Sequence, residues 1–129
     1  MASFQFYREY NDNPVYPGHP VTLALNILLV YGNDIPAALE RTKHGWASAV
    51  GNTEVAGGGG SVRDACDLLR NFYAEDMTPE EAVSWGHHRW HDRTVRGGDH
   101  RKKFEEGQAQ ANRFESELLK RLHSIRQVT

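Results

Sequence analysis

The residues best equipped for chemistry lie between Trp85 and Asp92. The stretch Trp85-Gly86-His87-His88-Arg89-Trp90-His91-Asp92 holds three of the chain's seven histidines and two of its three tryptophans. On a helix, His87 and His91 share a face, as do His88 and Asp92, and two imidazoles four residues apart can bind one zinc or another divalent metal. A catalytic metal wants three protein ligands, so His87, His91 and Asp92 would need completing by Asp99, His100, His44 or His123. Metal-bound water beside the neighbouring arginines would then suit hydrolysis of a phosphate ester. No glutamate lies between the histidines, so the metalloprotease helix pattern is absent. The plainer reading comes first: His87 packs on an apolar stripe with Val83 and Trp90, while His88, Arg89 and His91 face solvent or nearby acids.

A basic run follows. Arg89, Arg93, Arg96, Arg101, Lys102 and Lys103 face only Asp92 and Asp99 between residues 89 and 103. Guanidinium groups make bidentate phosphate contacts, and an adjacent Trp85 or Trp90 could stack a base. The expected anion contacts are therefore Trp85, Arg89, Trp90, Arg93, Arg96 and Lys102. Acids at 75–76, 80–81 and 105–106 flank the run, so a solvated face or intersubunit salt bridges is the competing reading. A second, weaker phosphate candidate is the loop Gly58-Gly59-Gly60 leading to Ser61 at a helix start. The Lys-Ser/Thr pair of a Walker loop is missing there, and a flexible connector is the simpler account. Cys66 falls on an apolar stripe and reads as a small core residue, and no Gly-x-Ser-x-Gly nucleophile elbow occurs. The paired acids are neighbours in sequence and diverge on a helix. No complete catalytic set is present.

These side chains must be carried by helices organised around Pro20–Tyr31, PVTLALNILLVY. Only Thr22 and Asn26 are polar, so a helix here is apolar almost all round and has to be enclosed by protein. A buried strand competes, since Val21, Thr22, Ile27 and Val30 are β-branched. Residues 1–18, with Phe4, Phe6, Tyr7, Tyr10 and Tyr16, read as an extended aromatic arm that packs on its own domain or pairs with another subunit. Asp34 can cap a second helix from Pro36 to about Val50, with Ala38, Leu39, Thr42, Trp46 and Val50 on one face. The glycine-rich stretch 51–60 reads as a flexible loop. Ser61 can cap a third helix, with Val62, Cys66, Leu69, Phe72 and Tyr73 inward.

Thr78-Pro79-Glu80-Glu81 is a strong start for a fourth helix, running to about Val95 and halted by Gly97-Gly98. From His100 to about Gln127, the residues Phe104, Ala111, Phe114, Leu118, Leu122 and Ile125 follow a near-heptad spacing interrupted by Gly107. This predicts a long amphipathic helix, and its stripe is the expected homo-oligomer contact.

At 129 residues, the chain has the size of one domain, 19–129 behind the 1–18 arm. A net charge of −2 leaves any anion binding to a local patch. One cysteine excludes an internal disulfide and fits a reducing compartment, and no membrane-spanning or signal segment is read, so a cytoplasmic location is expected. The fold expected is an all-α compact bundle of about five helices. The function expected is a small non-enzymatic, oligomeric binding or regulatory protein that contacts an anionic ligand, nucleic acid or another protein through segment 85–103. This profile is also common among small phage and host-defence proteins. The alternative is the metal-dependent hydrolase on His87, His91 and Asp92.

Overall fold

The computed structural model describes residues 19–50, 61–74, 77–92, 94 and 101–128. Side chains at 44–50, 61, 62, 103 and 128 are not among those described. The arm expected over 1–18, the loop 51–60 and the Gly97-Gly98 stop lie outside the described residues.

Among the described residues, the fold is an all-α bundle of five helices: α1 (Pro20–Tyr31), α2 (Ile35–Val50), α3 (Ser61–Ala74), α4 (Pro79–His91) and α5 (Arg101–Val128). Residues 20–31 are helix, not the buried strand that their β-branched content also allowed. Every residue from Pro20 to Leu28 is buried, and α1 touches each of the other four helices. An element apolar on all sides needs such a wrapping. Its core partners are Leu68, Leu69 and Phe72 on α3, Ala82 and Val83 on α4, and Ala111, Leu118 and Leu122 on α5.

Local chemistry sets the helix ends. Gly32 ends α1 with φ +96°, a conformation L side chains rarely adopt, and its N–H donates to Leu28 O at 2.9 Å. Asp34 Oδ1 accepts from Ala37 N–H at the start of α2. At α4, Thr78 and Glu81 form a reciprocal capping box with Pro79 in the first turn, as the spacing predicts. Regular α4 stops at His91. Beyond it Asp92 and Thr94 widen into π geometry, and Thr94 Oγ1 donates to Trp90 O at 2.7 Å.

Two glycines allow close approach. A Cβ on Gly86 would stand 2.8 Å from Leu68 Cδ1 and 3.0 Å from Val21 Cγ2, and one on Gly107 would stand 2.7 Å from Trp90 Cε2. Gly107 therefore does not simply interrupt the α5 repeat, since it is where α5 passes over the indole.

The α5 stripe is used within the chain. Ala111, Leu118 and Leu122 have no exposed surface, and Phe114 and Ile125 pack against the same core. Of the expected homo-oligomer contact through Phe104, Ala111, Phe114, Leu118, Leu122 and Ile125, the residues Ala111, Leu118 and Leu122 are taken up inside the chain, whereas Phe104, Phe114 and Ile125 keep part of their surface exposed. On α3, Tyr73 faces outward at 53% exposure, while Asp64 is buried. Among the described residues, no single helix is long and apolar enough to cross a membrane.

Candidate functional site: a histidine relay joining three helices

The site begins one residue before α1. His19 occupies the N-cap of that helix, and its Nδ1 accepts from Val21 N–H at 3.0 Å, satisfying one of the amides a helix start leaves open. The ring proton is then on Nε2. That nitrogen lies 3.1 Å from His87 Nδ1 on α4, so His19 donates and His87 accepts. His87 in turn carries its proton on Nε2 and donates to Glu115 Oε1 on α5 at 2.6 Å. The side chain of Gln108 reaches the same His87 Nδ1 at 3.0 Å and Asn112 Oδ1 at 3.0 Å. The result is a directed series from the α1 backbone through His19 and His87 to the Glu115 carboxylate.

Burial polarises this series. His19 is fully buried, and desolvation first, then the nearby charge of His87, pushes its pKa down to about 3, with Gln108 offsetting a part. Its ring meets that of His87 edge-on at 4.8 Å and leans on Trp90 at 5.5 Å. Trp90 is 5% exposed, and its Nε1–H donates to Phe104 O at 3.1 Å. A buried imidazole that stays neutral is neither a base nor an anion site. His87 has hydrogen-bond partners at both ring nitrogens, so neither is open to activate a nucleophile or bind a metal. The relay ties α1, α4 and α5 together.

The residues expected from the sequence scatter around this centre. Trp85 is partly buried against the core, and the Arg89 guanidinium lies 5.8 Å from its ring while donating to the buried Asp64 at 3.3 Å. Trp90 is turned inward, which corrects the expectation that it stacks a base. Lys102 is exposed, while Arg93 and Arg96 fall outside the described residues, as do Gly58, Gly59, Gly60 and the Ser61 side chain.

His91 is exposed, edge-on to Phe104 at 5.6 Å, with Nδ1 3.9 Å from Asp92 Oδ1. His87, His91 and Asp92 are not gathered around a point. Among the described residues, no group of three His, Cys, Asp or Glu side chains is placed to hold a metal ion, so these residues do not fit the zinc or other divalent metal of the hydrolase alternative. Of the possible completing ligands, His123 donates to Glu80 Oε2 at 2.7 Å, and the side chains of His44, Asp99 and His100 are not described. Burial raises the Cys66 thiol to about 11, which suits an inert packing residue.

Sequence reasoning missed His19, Gln108 and Glu115. A histidine immediately before Pro20 at a helix start was the available signal for the first. Nothing local marks the other two, which meet His87 only through the fold. No family model, curated protein or solved structure matches the chain.

Proposed function

We propose that the protein is a small non-enzymatic binding or regulatory module that meets an anionic partner, nucleic acid or a phosphate-bearing small molecule, through the outer surface of segment 85–103. The observation that supports this reading is the sorting of side chains along the segment. Trp90 is buried, whereas His88, His91, Arg101 and Lys102 are exposed and Arg89 is half-exposed over Trp85. A surface of cationic and imidazole heads on two packed helices suits phosphate oxygens. Asp64 neutralises part of the Arg89 charge, so Arg101 and Lys102, at the amino end of α5 where the helix dipole also favours anions, carry most of the contact.

The test is fluorescence anisotropy with a short labelled single-stranded oligonucleotide and with a labelled nucleotide, across a salt series. Binding is expected to weaken steeply with salt, with a logarithmic slope of about −0.7 for each phosphate contact on a single strand. The Arg101→Glu/Lys102→Glu double variant should lose that binding while keeping the wild-type melting temperature. Undetectable affinity for every nucleotide and oligonucleotide at low salt would transfer the reading to a protein partner.

A further inference from the structure

A groove between α4 and α5 lies on the other flank of α4 from Arg89. It is an open groove of about 280 Å³, just below the roughly 300–1,000 Å³ of pockets that hold whole small ligands. That size suits one long side chain. Val83 and Leu119 supply an apolar base, and Glu80, Ser84 and Glu115 bring oxygen acceptors to its edge. Each carboxylate is held in place by an imidazole through a single oxygen, Glu115 by His87 at 2.6 Å and Glu80 by His123 at 2.7 Å. The groove thus combines an apolar base with negatively charged acceptors.

We infer that this groove receives an arginine side chain from a partner polypeptide, with the aliphatic stem over Val83 and Leu119 and the guanidinium donating to the second oxygens of Glu115 and Glu80. The planar fork of arginine offers donors to more than one acceptor along the groove edge, which the single ammonium of lysine does less well. Ser84, exposed at the edge, supplies a further acceptor. The inference stands apart from the anionic-partner reading, since it uses none of Arg89, Arg101 or Lys102.

The experiment titrates N-acetyl-arginine amide, and its uncharged citrulline counterpart, into isotope-labelled full-length protein followed by heteronuclear NMR. Saturable shifts are expected at the amides of Ser84, His88 and Leu119 with the arginine compound. Citrulline should bind roughly tenfold more weakly or worse, the loss that follows from removing a charge-assisted hydrogen bond. Glu115→Gln retains an acceptor for His87 and should weaken arginine binding by a similar factor with the remaining spectrum unchanged. Glu117→Gln, on an exposed part of the same helix, should leave it intact. Shifts of equal size with citrulline, shifts indifferent to Glu115→Gln, or no shift at these amides would overturn the inference. Oligonucleotide binding by the Glu115→Gln variant separates this result from the other reading, because it should persist whatever happens in the groove.

Discussion

His19 shows how a single buried imidazole ties stability to pH. Its native pKa is pushed down to about 3 from 6.5, so between those values the unfolded chain binds a proton that the native protein does not. Stability is therefore fully present above the unfolded pKa and is lost as pH falls below it, by up to about 1.4 kcal/mol per pH unit from this one group. Urea midpoints measured from pH 7 to pH 4.5 should fall accordingly. The His19→Asn variant, whose side chain can still cap α1, should show a flatter profile. An equally steep fall in that variant would assign the acid sensitivity elsewhere. Glu80 contributes with a related sign, since its pKa is lowered, first by the hydrogen bond from His123. Its support is present above the ordinary glutamate pKa and is lost as pH drops through the native value, in a lower window than that of His19.

At the scale of helices, contacts at two places decide how closely the bundle closes. Gly107 sits in the middle of α5, where alanine would ordinarily gain about 1 kcal/mol of helix propensity. Here an added methyl group would press into the Trp90 indole, so Gly107→Ala should destabilise the protein by a net ~1–3 kcal/mol. Thermal unfolding monitored by circular dichroism gives the sign directly, and a stabilised variant would refute the close approach.

Arg126 is the other contact. From the last turns of α5 it donates to Phe72 O at 2.9 Å and Met77 O at 2.7 Å and lies 4.1 Å from the Phe72 ring centre, fastening α5 to the end of α3 and to Met77 ahead of α4. Replacement by alanine should cost about 2 kcal/mol in chemical denaturation. Lysine should restore only part, because its ammonium does not reproduce the planar fork.

The same scale shows what the amino-acid order made legible. Helices whose signals are local stood out: Thr78, Pro79 and Glu81 mark the start of α4, and the apolar run 20–31 marks the buried centre. Side chains that meet through the fold did not. His87 invited pairing with His91, four residues away on the same helix, yet its ring partners are 68, 28 and 21 residues distant. Asp64 carries no local mark in the sequence and is buried under Arg89, a pairing set only when α3 and α4 pack.

For the whole molecule, the use of the α5 stripe inside the chain predicts how the protein fails. Leu118 has no exposed surface, and Leu118→Ala should cost ~2–5 kcal/mol by opening a cavity. The loss should be the same in dilute and concentrated samples, since a core residue stabilises its own chain whereas an interface residue makes the midpoint depend on concentration. A midpoint shift that diminished at high concentration would return the stripe to subunit contact.

The placement of α1 also bears on synthesis. Of the five described helices, the one that is apolar on every side is made first, and α5, which covers much of it and supplies Glu115 to the relay, is made after the other four. At roughly 5–20 residues per second, the chain between Tyr31 and Val128 takes on the order of five to twenty seconds to emerge. Through that interval the apolar helix α1 waits for its cover, so a growing polypeptide stalled before α5 is expected to expose apolar surface that the finished bundle buries.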